Sequence, residues 1–513
     1  MAEPRGSVAR QTASAPSDIA AIALEHYRSG DLRLAAKIAL AAVTSGDRDA
    51  SALAEMAARA AVRTGDAALL DRALGYMRPS TTGDARRWLR GAFLVRYGDV
   101  DEGIALLNDA LEPAPSAVAS EIGYHLAVGL WNKRNLDAAE QLVHRFRPAA
   151  AGVNAVELEQ MLGWIEQSRE RYAFAGRHFV AALSLLDDGG QRDEWGRARI
   201  LNGLAAVSLE TLDLHAMAHL ALPDGNIGEE TRQPMFHAYL SVAWLRMLDG
   251  DESGALVDIE RARAIAPTAA LVAAADITLA RYFRIRGDAG AARVYLQLGG
   301  EALRSQRWSD ANADERMTLL EYALEAARLE PTLAGPTLTR YLSGTRKRKA
   351  ALTLENDRRV QALELTARGA LEAFHKRHRE AGQLFRQALD IWAKLGYRYR
   401  EALTALLLDD VAPGDAEVRD AARRATASIP KSWLRREVER RTVRITSGYD
   451  ALSPAERRVM LAICEGKTSK QIAADFGRSF HTIRNQTLKV YATMGVRTRS
   501  ALVAECARLG LLR

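Results

Sequence analysis

Cysteine is almost missing from this chain of 513 residues: there are two, Cys464 and Cys506. A disulfide framework is therefore excluded, and so few thiols suit a reducing compartment. Each takes a small-residue position on an apolar helix face, which reads as a buried inert thiol, with a redox pair as the alternative. No apolar run reaches the 18 residues that a membrane-spanning helix needs. The first seventeen residues have no apolar centre of the signal-peptide kind and are expected to form a disordered tail. The motifs of common catalysts are missing too. There is no G-x-x-x-x-G-K-[ST] phosphate loop, no H-E-x-x-H, no paired cysteine set for zinc and no G-x-S-x-G elbow. Among the ten histidines, His375 and His378 stand three residues apart, on a stretch rich in Arg and Lys that reads as surface. These absences speak against an enzyme and against a bound cofactor or metal.

Charge is unevenly placed. The net charge is +7, yet residues 446–513 hold 11 Lys+Arg against 5 Asp+Glu, leaving 60 against 59 in the rest. A local basic excess is the footprint expected for nucleic acid, whereas the near-neutral remainder suits proteins or small molecules. Within that basic stretch the helix signals are explicit. Ser453-Pro454-Ala455-Glu456 combines an N-cap hydroxyl, proline at the first helical position and glutamate at the third. Val459, Met460, Ile463 and Cys464 follow as an apolar stripe, and Gly466 ends the helix. Thr468 and Gln471 cap a second, short helix carrying Ile472 and Ala473. Phe476-Gly477-Arg478 turns the chain, Ser479 caps a third helix running to Gly495, and a fourth begins near Thr498 or Arg499 and stops at Gly510. This order is the grammar of a helix-turn-helix.

The third helix is the predicted reader. Ile483, Val490 and Met494 share one side, leaving His481, Arg484, Asn485, Leu488 and Lys489 outside. Arg pairs with guanine edges and Asn with adenine edges, so Arg484, Asn485 and Lys489 are the candidate base contacts. Thr468, Ser469, Lys470, His481 and Thr482 are placed for phosphates. The bland alternative is a solvated charged face on a small bundle.

The full string resembles the C-terminal DNA-binding domain of the LuxR family of bacterial regulators. Leu452, Glu456, Val459, Gly466, Ser469, Ile472, Ala473, Ser479, Thr482, Ile483, Arg484, Gly495, Val496, Thr498 and Arg499 fall in that family's register over about 60 residues. The departures are Ala455, Gln486 and Thr493, where the family usually has Arg, His and Lys, and Leu488 at an often polar position. None removes a cap, a turn glycine or a core aliphatic. The resemblance implies a four-helix domain that binds double-stranded DNA, with residues 499–509 pairing two copies over an inverted repeat. It also implies a bacterial protein of the cytoplasm, associated with the nucleoid.

Ahead of this domain, turn motifs recur at Gly30-Asp31, Gly65-Asp66, Gly98-Asp99, Arg134-Asn135, Gly250-Asp251 and Gly287-Asp288, close neighbours being 33 to 37 residues apart. That is the period of a tetratricopeptide-type helix pair. Gly250 is followed by Ala255, Ala262 and Pro267, and Gly30 by Ala35 and Ala42; Ala175 and Ala182, then Ala381 and Ala388, keep the offsets without the glycine. Small residues belong where helices cross closely. Two stretches, 222–234 and 331–349, interrupt the period, the second with a basic end at 346–349. The eight tryptophans read mainly as inter-repeat core, with a stacking surface as the alternative.

The predicted fold class is all-α: a disordered tail (1–17), a tetratricopeptide-like α-solenoid of nine to ten repeats (18–410), a helical linker (411–448) and the helix-turn-helix domain (449–513). The predicted function is sequence-specific transcription regulation. Its partners are DNA and a protein, peptide or small-molecule effector at the solenoid, with a homodimer at least on DNA and no membrane. A repeat scaffold whose terminal domain serves dimerisation or docking stays open as the alternative.

Overall fold

The structure, a computed structural model, describes residues 18–512 apart from 48, 78–83, 191, 226, 305–312, 347–357, 413–414, 430, 450 and 510. The tail 1–17, Trp308 and the basic residues 347–349 lie outside the described residues. Among those described, every regular element is helical. The chain divides into two compact units, one of residues up to Leu204 with Leu222–Met235, the other of Ala205–Ala221 with Phe236 onward.

In the first unit five helix pairs follow one another: Asp18–Arg28 with Leu32–Thr44, Ala50–Thr64 with Ala67–Tyr76, Ala85–Tyr97 with Val100–Leu111, Ser116–Asn132 with Leu136–Phe146, and Val153–Ser168 with Tyr172–Asp188. The recurrent dipeptide explains each hairpin. At most of these turns its first residue takes the left-handed conformation, as at Gly65 (φ +72°) but not at Gly98 (φ −134°), and its second caps the next helix, as where the Asp66 carboxylate accepts from the Leu69 amide. The same left-handed turn is made by Arg134, Glu170, Leu212 and Lys376, so the period persists where glycine is missing. Leu212-Asp213 is such a turn, followed by a short 3-10 segment, Leu214–His219, in place of a full second helix.

The alanines at the repeat offsets are buried, including Ala35, Ala42, Ala175 and Ala182. They let helices cross closely, and in the fifth pair an aromatic ring packs against a glycine: a Cβ on Gly163 would lie 2.6 Å from Phe179. The second unit repeats this pairing, since Gly369 meets Phe385 at the same 2.6 Å. Trp88 and Trp392 are fully buried and Trp195 and Trp244 nearly so, which is the core reading of the tryptophans.

The stretch 222–234, an interruption in the sequence, folds back onto the first helix pair. Glu230 accepts hydrogen bonds from the amides of Leu32 (3.0 Å) and Arg33 (3.4 Å), while Asp31 at the N-cap makes no side-chain cap of its own. Gly228 approaches Gly30 so closely that an added Cβ would lie 2.8 Å from its backbone.

In the second unit the pairs Ala269–Ile285 with Ala289–Arg304, Ala313–Leu329 with Pro331–Arg346, and Arg358–Phe374 with His378–Leu395 pack in succession. The proline-rich stretch from 331 is thus not a break: Pro331 opens the helix at a position with no amide to satisfy, and Pro336 sits inside it. Residues 411–448 contain the helices Ala416–Ala425 and Trp433–Gly448; Val418, Ala422, Leu434 and Val438 are buried, and the first helix packs on Arg398–Val411. An ion cluster ties this unit together. The Glu325 carboxylate accepts from Arg281 (2.6 Å) and Arg284 (2.8 Å), and Glu321 bridges Arg281 to Arg400.

Candidate nucleic-acid interface

The terminal domain has its own core. Leu452, Val459, Met460, Ile463, Ile472, Ile483, Val490, Met494, Leu502 and Cys506 form one buried cluster. Helix starts follow the caps read from the sequence. Ser453 and Glu456 close a capping box ahead of Pro454–Cys464, and Thr468 and Gln471 close another ahead of Ser469–Asp475. Ser479 accepts from the Thr482 amide at the start of Phe480–Thr493, and Thr498 from the Ala501 amide at the start of Arg499–Arg508. Between them the chain reverses at Gly466 (φ +96°) and Gly477 (φ +60°), where a side chain would be strained. Arg499, one of the family-register residues, holds two helices together, because its guanidinium donates to the Ile463 carbonyl (2.6 Å) in the last turn of the first helix.

This packing sorts the third helix into two faces. Ile483 and Val490 are fully buried, whereas His481, Thr482, Arg484, Asn485, Leu488 and Lys489 are exposed. Thr468 and Lys470 are exposed and Ser469 half-buried at the start of the second helix. The eight candidate contact residues thus fall on the second and third helices of one small domain. Of the three candidate base contacts, Lys489 is engaged within the protein: its ammonium lies 2.8 Å from a Glu456 carboxylate oxygen. Lys489, then the Ser453 amide and hydroxyl, hold the Glu456 carboxyl down at about 2. The sequence showed the capping box but not the second role of Glu456, because residues 33 apart meet only through the tertiary fold.

Leu488 adds an apolar feature to the exposed face; it is 58% exposed, and Phe480 at the helix start is 41% exposed. Cys464 is half-buried and Cys506 buried, and both are free thiols. Among the described residues no group of His, Cys, Asp or Glu could hold a metal ion, and no helix is long and apolar enough to cross a membrane.

Residues 450–505 match the GerE family, described as bacterial regulatory proteins of the luxR family, and form a LuxR-type helix-turn-helix domain. The chain is also 32% identical over 97 residues to nodulation protein W of Bradyrhizobium diazoefficiens, a match over 19% of this chain and 41% of that protein. The chain therefore spans less than half the length of this relative. Among solved structures it is similar to a Rap protein complexed with competence and sporulation factor, at 12% identity and TM-score 0.37, over 66% of this chain and 98% of that one. It is similar as well to the APC/C hetero-tetramer Cut9–Hcn1, at 13% identity and TM-score 0.30, over 95% and 98% of the two chains.

Proposed function

We propose that this protein is a sequence-specific DNA-binding transcription regulator whose helical-repeat region docks an effector. The carrying observation is the two-faced third helix: Ile483 and Val490 lock it into the domain while Arg484, Asn485, Leu488 and Lys489 face outward together. A helix so presented fits the major groove, where Arg484 suits guanine O6 and N7 and Asn485 adenine N6 and N7. Thr468, Ser469, Lys470, His481 and Thr482 are assigned to phosphates, which fix register without reading sequence. The helix Arg499–Arg508 exposes Ala504 and Ala507. Such small residues let a second copy approach, so the working form on DNA is a homodimer over an inverted repeat. As a regulator that binds DNA it works in the cytoplasm, at the nucleoid. The function needs no catalytic step.

Selection from a random DNA library, at a stated salt concentration, tests this reading with the full-length chain and residues 446–513 in parallel. Enrichment of one inverted motif supports it. If neither enriches a motif, the domain serves docking and the repeat region is the working part. If only the short piece does, the repeats hold the domain off DNA until an effector arrives.

A further inference from the structure

The five helix pairs of the first unit surround a cavity of about 440 Å3. That volume lies in the range of small-molecule sites rather than of packing defects. Its wall is made by the first helix of each pair, and the turn after the fifth pair closes it. There Asp193 accepts from Arg63 at 3.1 Å, across 130 residues of sequence, and Arg192 pairs with Glu25. The repeats therefore curl until the fifth meets the first and second, and form a chamber that stays partly open to solvent.

Five arginines line this chamber, Arg28, Arg59, Arg63, Arg96 and Arg192, and three of them have their planes set by aromatic rings. Arg59 lies over Trp88 (5.1 Å), Arg63 over Tyr27 (5.2 Å) and Trp195 (4.7 Å), and Arg96 over Tyr124 (5.6 Å). A stacked guanidinium is a planar fork already oriented for a carboxylate. Stability alone does not call for such a wall, because aliphatic residues at these positions would avoid the desolvation of three cations. Two of the three are neutralised within the protein. Arg59 pairs with Glu55 and Glu121, and Arg63 with Glu157 and Asp193.

Arg96 is different. Among the described residues it has no carboxylate within bridging distance; its Nη2 donates to the Tyr124 hydroxyl at 3.0 Å, and its Nε is buried without a partner. Beside it, His125 is 7% exposed and its Nδ1 has no partner either. Burial, then Arg96, Arg59 and Arg63, holds that imidazole neutral, well below its usual range. Burial pushes the Glu121 carboxyl up to about 7, which thins the negative charge of the wall further.

We infer that this chamber is a binding site for a small organic monocarboxylate, whose carboxylate meets Arg96 beside His125 and whose apolar body lies against Val62 and Leu89. Arg96 offers a guanidinium whose Nε is buried and unpartnered, and its planar fork matches the two oxygens of one carboxylate better than a tetrahedral phosphate. The site gives the effector-docking region of the proposed regulator a ligand class. Only its regulatory consequence rests on that reading, since binding is measurable with no DNA present.

The test uses the full-length protein in thermal unfolding and titration calorimetry with three acids: benzoate, indole-3-acetate and hexanoate. Their amides and inorganic phosphate serve as probes of the same size and of the other anion. At least one acid is expected to raise Tm saturably while its amide and phosphate do not, because ligands that bind only the folded state stabilise it by mass action. Arg96→Gln should weaken that acid roughly tenfold or more, the scale of one charge-assisted contact, and Arg96→Lys should restore part of it. No saturable rise with any acid, an equal rise with an amide or with phosphate, or an unchanged Arg96→Gln response each overturns the assignment. Should Arg96→Gln not fold, the acid-against-amide comparison on the unaltered protein still decides. Failure here leaves the DNA selection untouched, and the converse holds.

Discussion

Lys489 on the reading helix is paired with Glu456, which also caps the first helix of the terminal domain, at 2.8 Å. One carboxylate therefore does two things: it closes the turn at Ser453 and anchors a cation that the sequence offers to DNA. The pair divides the candidate base contacts, because among the described residues Arg484 and Asn485 show no comparable ion pair. Arg484→Ala is expected to cost about 1–3 kcal/mol at the selected site and to relax base choice at one position per half-site. Lys489→Ala should cost less, since part of its charge is already answered. Equilibrium binding of both variants at one salt concentration checks the order; a larger loss for Lys489→Ala would contradict it.

The same pair makes the terminal domain sensitive to acid. The folded Glu456 carboxyl titrates at about 2, below the roughly 4.3 of an unfolded glutamate. A depressed carboxyl contributes stability above its unfolded value and loses it as the pH falls through the folded one. Stability should therefore decline from about pH 4 towards pH 2, and Glu456→Gln should flatten that decline. Urea unfolding across this window, in wild type and variant, gives the comparison.

Lys470 is exposed at the start of the second helix and is assigned to phosphate. Lys470→Ala is expected to weaken all DNA sequences alike and to reduce the slope of log K against log salt by about one unit. A change in sequence preference instead would place Lys470 at a base edge.

Leu488 leaves a bare aliphatic surface, 58% exposed, on the third helix. Its natural match is a thymine methyl group. Leu488→Ala should lower discrimination for thymine at one position while leaving non-specific binding unchanged, as read by competition between the selected motif and its single-base variants.

Glu325 is fully buried and answers both Arg281 and Arg284. Burial alone would raise its carboxyl, but Arg284 and Arg281 outweigh that and hold it well below the usual range. Glu325→Ala strands the Arg284 guanidinium, leaves Arg281 with Glu321 as its remaining carboxylate, and should destabilise the second unit by about 3–5 kcal/mol. Glu230→Ala, which removes the distant cap on Leu32 and Arg33, should cost about 1 kcal/mol. Chemical denaturation ranks the two, and an equal or reversed effect would argue against the cluster as the stronger tie.

What the sequence determined by itself is local. Capping boxes at Ser453 and Thr468, reversals at Gly466 and Gly477, and the small residues Ala35, Ala42, Ala175 and Ala182 each act within a few turns of helix. Their spacing was enough to place helix ends, the all-α class and the outward face of the reading helix. Tertiary structure alone decided the rest. It brought Glu230 to Leu32 across 198 residues and Asp193 to Arg63 across 130, turned the stretch after Pro331 into a helix, and set Lys489 against Glu456. A repeat period encodes how each helix pair meets the next. The curvature that closes a chamber is the sum of many small rotations between repeats, and no single motif carries that sum.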